Sequence, residues 1–155
     1  GEVDTTSFYN AFCSDFNIGD DKHTFCKIYE SLVLREISGA ATMIHYWHNR
    51  YPLFALSNNN PLLWKATKLH CTVLACFTNI FLSHEIKLLK PNPDAFDFVL
   101  NAIGSEPHET IFVDDNPSCI TTAIELGMHG VHFKDAPSTN EKITAIIHEK
   151  HLRKP

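Results

Sequence analysis

The stretch Ile111-Phe112-Val113-Asp114-Asp115-Asn116-Pro117 decides how this chain is read. Three apolar residues of strand-forming type run directly into two carboxylates and then into an Asn-Pro pair. A short run with no polar alternation, bounded by turn residues, predicts a parallel strand covered on both faces. Asn is a preferred N-cap and Pro suits the first helical position, so the pair predicts a helix beginning at Pro117. Strand, acidic turn and helix in that order make one unit of an α/β sheet. Two adjacent carboxylates at the end of an apolar strand are costly unless they are paired or bound to a cation. Hard oxygen ligands of this kind suit Mg²⁺, which takes one or two carboxylates together with substrate phosphate oxygens.

The same texture extends in both directions. Short apolar runs at residues 53–56, 80–82 and 131–133 predict three more buried strands, with helices between them. Residues 93–103 place Phe96, Val99, Leu100 and Ile103 on one helical face, and residues 117–126 place Ile120, Ala123 and Ile124 inward. Ser138, followed by Glu141 at capping-box spacing, predicts the start of a last helix that carries Ile143, Ile146 and Ile147. Before residue 50 the pattern is helical: Phe25, Ile28, Tyr29 and Leu32 share one spacing, and Ile37, Ala41 and Ile44 another. Breaks are expected at Gly19-Asp20-Asp21 and near Ser38-Gly39. Asn-Pro recurs at Asn60-Pro61 and Asn92-Pro93. Helices that start at one sheet edge gather free N–H groups and positive partial charge where open α/β folds bind ligands, a setting suited to phosphate.

Composition narrows the function classes. The 155 residues are 44% hydrophobic and 20% charged, enough apolar material for one folded domain. Thirteen basic against eighteen acidic residues give a formal charge of −5, which argues against nucleic acid or an anionic membrane as partner. No apolar stretch is long enough to span a bilayer, and the first ten residues carry no leader pattern. Cys13, Cys26, Cys71, Cys76 and Cys119 include no CxxC pair, so reduced, buried thiols and a cytoplasmic setting are expected.

Two further stretches carry candidate chemistry. The run ending in Ser57-Asn58-Asn59 offers a hydroxyl and neighbouring backbone N–H groups to a phosphoryl oxygen, though Ser and Asn are also ordinary turn residues. In Lys87-Leu88-Leu89-Lys90-Pro91-Asn92-Pro93, the residue before proline is driven to extended backbone. Lys90 therefore projects from a loop, where its ammonium balances a carboxylate and a transferring phosphoryl group together. Lys87 is read as solvated. His84-Glu85 lies beside this stretch, and Trp47, Trp64 and the other histidines are read as packing or surface residues.

In order, these motifs resemble the haloacid dehalogenase-like (HAD) superfamily, closest to its sugar-phosphate phosphatase branch. The strand ending in Ser57 is similar to the second family motif, Lys90-Pro91-Asn92-Pro93 to the third, and Asp114-Asp115 to the fourth. The resemblance implies a Rossmann-like parallel sheet flanked by helices in residues 37–155, with residues 1–36 as the remainder of a small helical cap. It implies a Mg²⁺-dependent phosphatase acting on a small phosphorylated metabolite through an aspartyl-phosphate. In that scheme Ser57, Asn58 and Lys90 bind phosphate, Lys90 and Ser57 serve catalysis, and Asp115 and Asp114 hold the metal.

The family's first motif, an apolar strand ending in Asp-x-Asp-x-Thr, has no counterpart here. Val3-Asp4-Thr5-Thr6 has too few residues before Asp4 for a buried strand and Thr6 in place of the second Asp, so Asp4 or Thr6 is expected to cap a helix. In this family that strand lies between those bearing the second and fourth motifs, so two open interior edges are expected. The reading is of a fragment whose nucleophile lies elsewhere and whose 155 residues do not turn over alone. The alternatives are a non-catalytic module that binds phosphate or a partner, and a metal-independent haloacid dehalogenase. The paired carboxylates argue against the latter.

Overall fold

A computed structural model describes residues 4–17, 19, 21–31 and 36–150. The elements are α1 (Thr5–Phe16), α2 (Lys22–Glu30), α3 (Ala40–His48), β1 (Phe54–Ser57), α4 (Pro61–His70), β2 (Asn79–Leu82), α5 (Ser83–Ile86), α6 (Pro93–Ile103), β3 (Ile111–Asp114), α7 (Pro117–Glu125), β4 (His129–His132) and α8 (Ala136–Lys150). The α/β class with parallel strands and flanking helices is the one the apolar runs predict. All three Asn-Pro pairs start helices as expected. The side chains of Asn60, Asn92 and Asn116 accept from backbone N–H groups in the first turns of α4, α6 and α7.

The strands form two half-sheets. β1 pairs with β2 and β3 pairs with β4, both parallel. Among the described residues, no ladder joins the two pairs. Yet β1 and β3 lie between the same helical layers. Leu56 and Phe112 pack against a cluster of Ala95, Phe96, Leu100, Cys119, Ala123 and Met128 from the α6–α7 side. Leu53, Ile111 and Val113 pack against Trp47, Val131 and Ile143, on the side of α3 and α8.

Burial shows where the sheet is open. Interior strands of a covered sheet are normally its most buried members. Here every residue of β1 and β3 is only half-buried, whereas Leu82 of β2 and Val131 of β4 are each 2% exposed. The backbone agrees for β3: Thr110 and Asp114 both accept from the β4 side, through His129 N–H and Phe133 N–H. Alternation along a parallel strand therefore turns the N–H and C=O groups of Ile111 and Val113 away from β4. Among the described residues, no ladder pairs with that edge of β3.

Several local expectations are corrected. Ile124 is 55% exposed, because it lies across the edge strand at Gly130 with no further layer beyond it; a Cβ built on Gly130 would stand 2.8 Å from Ile124 Cγ1. Cys119 takes the buried place on α7 instead. Ile37 precedes α3 and is 59% exposed, since Gly39 at φ +79 interrupts helical backbone there. The cap of α8 is Asp135, whose carboxylate accepts from Ser138 N–H at 2.8 Å, so the helix starts before Ser138. Ile28 faces solvent at 57% exposed, and Leu32 lies outside the described residues. Of the five free cysteines only Cys76 and Cys119 are buried; the others are half-buried.

Trp47 is a packing residue, buried with its indole N–H on Asn140 at 2.8 Å. Among the described residues, no helix is long and apolar enough to cross a membrane.

Candidate active site

Three loops meet at the carboxyl ends of β1, β2 and β3. The acidic turn after β3 supplies Asp114, whose side chain is 8% exposed. One of its oxygens accepts from Lys90 Nζ at 2.5 Å, and the other from Asn116 N–H at 2.8 Å. Lys90, with a side chain 12% exposed, comes from the loop between β2 and α6 and lies 5.6 Å from the centre of the Phe112 ring. A lysine head and a carboxylate so shielded are costly to hold apart, and here each is the other's partner. The Lys90–Pro91 peptide is cis.

The β1 loop is tied to the same lysine through its backbone. Asn58 Nδ2 donates to Lys90 C=O at 2.7 Å, and Lys90 N–H donates to Asn58 Oδ1 at 2.9 Å. This two-way bond fixes the loops after β1 and β2 against each other. The Asn58 side chain thus holds Lys90 in place.

Asn59 is fastened separately. Ser83, only 1% exposed, accepts from Asn59 N–H and donates to Asn59 C=O, both at 3.0 Å. His84 Nδ1 reaches the same carbonyl at 3.0 Å. Asn60 N–H is taken by Asn59 Oδ1 at 2.8 Å. Asn60 Nδ2 reaches the Tyr29 hydroxyl at 3.3 Å, linking α2 to this loop.

Ser57 ends β1 half-buried beside these groups. Asp115 is exposed, and its carbonyl oxygen lies 3.0 Å from His132 Nε2. The structure therefore joins Asn58, Lys90 and Asp114 by direct bonds, with Ser57 and Asp115 adjacent in sequence at the same strand ends. Cys119 lies under the acidic turn; burial foremost, and then the Asp114 charge, push its thiol above the ordinary range. It is a protonated packing group.

Asp4 is the N-cap of α1, accepting from Thr6 and Ser7 N–H at 2.8 Å each. Those bonds hold its carboxyl below the usual range, and it stands on no strand. Lys87 is exposed as expected, with its ammonium on the His84 carbonyl at 2.7 Å. Residues that sequence reasoning passed over are Ser83 and Tyr29. The single available signal for Ser83 was a hydroxyl directly following an apolar strand run.

What the arrangement can do is hold an anion. The Lys90 ammonium meets the Asp114 carboxylate there, with Ser57 and Asp115 at the ends of β1 and β3 and α4 beginning just after β1.

The chain matches the haloacid dehalogenase-like hydrolases over residues 10–127, and it belongs to that family. Among curated relatives, the D-ribitol-5-phosphate phosphatase of Bacteroides thetaiotaomicron is 29% identical over 109 residues, covering 63% of this chain and 50% of the relative. The chloroplast flavin mononucleotide hydrolase 1 of Arabidopsis thaliana is 43% identical over 49 residues, covering 32% of this chain and 20% of the relative. The chain thus spans half or less of the length of these relatives. Among solved structures, a HAD-like family hydrolase from Porphyromonas gingivalis superposes with a TM-score of 0.80 at 23% identity, covering 95% of this chain and 75% of that one. A HAD family enzyme from Bacteroides thetaiotaomicron, in complex with magnesium and inorganic phosphate, gives 0.79 at 24% identity, with 86% and 71% covered.

Proposed function

We propose that this haloacid dehalogenase-like hydrolase carries the phosphate site of a Mg²⁺-dependent phosphatase for a small phosphomonoester of the sugar-phosphate class. The observation that carries the reading is the shielded Lys90–Asp114 contact, with Lys90 fixed by Asn58 beside Ser57. The phosphatase relatives support the same class of substrate. Ser57 Oγ and the Asn58 backbone N–H hold phosphoryl oxygens, and Lys90 balances their charge. The attacking carboxylate comes from a strand seated between β1 and β3, where Ile111 and Val113 have backbone groups to pair with it. Its oxygen forms a bond to phosphorus as the ester P–O bond breaks. The departing alkoxide takes a proton from a second acid on that strand, and water then cleaves the acyl phosphate.

The residues present fit Mg²⁺. Asp114 and Asp115 bring hard carboxylate oxygens to one strand end. Among the described residues, no cluster of three His, Cys, Asp or Glu closes a protein cage, and Mg²⁺ favours such open sites. Asp115 would ligate the ion directly, and Asp114 would be the second carboxylate beside it. When bound, the ion neutralises charge on the phosphoryl group. By the family resemblance residues 1–36 are the remainder of a helical cap, and the free thiols suit the cytoplasm.

Asp4, which caps α1 instead of ending a strand, favours a second reading for residues 1–155: a module that binds phosphate without turning it over. A phosphomonoester assay with Mg²⁺ and with EDTA tests the pair. Turnover that survives EDTA refutes the metal-dependent phosphatase. Turnover by residues 1–155 alone refutes the need for a further strand.

A further inference from the structure

We infer that Ser83 and His84 are positioning residues for the anion site: they lock the Asn59 peptide and so set the Ser57-Asn58 loop in its binding geometry. The inference rests on the phosphate-site reading above and adds two residues to it. Asn59 C=O can only accept, so the hydrogen at the His84 contact sits on Nδ1. The carbonyl then receives two donors, Nδ1–H and the Ser83 hydroxyl, at 3.0 Å each, while the Ser83 oxygen takes Asn59 N–H. All three bonds fall on one residue, next to the Asn58 side chain that grips Lys90.

The anchoring groups are themselves shielded. Ser83 is fully shielded, and the His84 side chain is 12% exposed. His84 Nε2 stands 3.9 Å from Glu85, and its carbonyl holds the Lys87 ammonium at 2.7 Å. Because Asn59 N–H is spent on Ser83, it is not a donor to an anion. Its work is to hold still the residues that are. A donor displaced by a fraction of an ångström binds an oxyanion poorly, so fixing this loop raises affinity without touching the ligand.

Titration of the 155-residue protein with inorganic phosphate, followed through backbone amide NMR shifts of Ser57 and Asn58, tests this. His84→Leu and His84→Asn have nearly the same shape, but only Asn keeps a donor near the Nδ1 position. Loss of one such bond is expected to weaken phosphate binding about threefold to tenfold. His84→Leu and Ser83→Ala should show that loss, and His84→Asn should bind like the unaltered chain. Lys90→Met, which removes the charge, should abolish the response. If Lys90→Met abolishes it while His84→Leu and Ser83→Ala bind normally, the positioning role is wrong and the phosphate site stands. Equal loss in His84→Leu and His84→Asn also overturns it, because the donor is then irrelevant. No response in the unaltered chain removes the anion site and the positioning role together. Unchanged amide shifts far from the loop establish that each variant is folded.

Discussion

Lys90→Met and Asp114→Asn, alone and combined, measure the contact on which the site rests. Two unit charges about 4 Å apart attract by about 4 kcal/mol at an effective dielectric of about 20. Desolvating both groups consumes most of this, so the intact pair adds little net stability. Removing one partner is different, because the other charge stays behind without its neutraliser. A fully buried pair loses about 3–5 kcal/mol in that case. Side-chain exposures of 12% and 8% admit some water here, so we expect about 2–4 kcal/mol from Lys90→Met. Methionine keeps the stem against Phe112, so lost packing is a minor part. At roughly 2–4 °C per kcal/mol for a domain of this size, melting falls by roughly 4–16 °C. The double variant should recover part of the loss, with a coupling energy of about 1.5–3 kcal/mol. Urea unfolding followed by fluorescence of the buried Trp47 gives all four corners of the cycle. Additivity within about 0.5 kcal/mol would mean that the two side chains do not meet in solution, and the site reading would fall with them.

Three further expectations are independent of that cycle. Gly130→Ala sets a Cβ 2.8 Å from Ile124 Cγ1 and 3.0 Å from Ile120 Cγ2, so it should destabilise by about 1–3 kcal/mol. Ile124→Ala in the same background should restore part of this by urea unfolding, and no recovery would place the strain elsewhere. Asp135 has its native pKa lowered, first by the Ser138 backbone N–H, so its contribution is full above the unfolded value of 3.8 and lost as pH falls through the native value. The stability gap between the unaltered chain and Asp135→Ala should therefore close on acidification; a gap that persists in strong acid contradicts the capping role. In amide hydrogen exchange on residues 1–155, Val113 should exchange at least about tenfold faster than Phe112, since alternation aims Val113 N–H away from β4 and Phe112 N–H at β4. Equal protection would mean that β3 already has a partner on both edges.

Much of the fold was legible because its signals are local. An apolar tetrapeptide ending in a turn, or an Asn-Pro pair, settles backbone conformation through neighbours a few residues away. The four strands and the three Asn-capped helices follow from that. Ile124 and Ser138 misled for the same reason. Their spacing is correct for a helix, but exposure depends on whether another layer covers the face, and a cap belongs to whichever residue the preceding turn orients.

The order of Ser57, Lys90 and Asp114-Asp115 along the chain determined the family and the kind of chemistry to look for. Which carboxylate meets the lysine was decided only in three dimensions. Asp114 and Asp115 are equivalent as text, but at the end of β3 one carboxylate faces Lys90 while its neighbour is exposed. The grip of Asn58 on Lys90 and of Ser83 and His84 on Asn59 spans 24 to 32 residues of sequence. No local propensity encodes such bonds; they exist because parallel strands bring their carboxyl ends to one edge. Open edges were expected from the missing first motif and not from the strands themselves, since a strand's second edge is filled or left open by what lies beside it, not by its own residues.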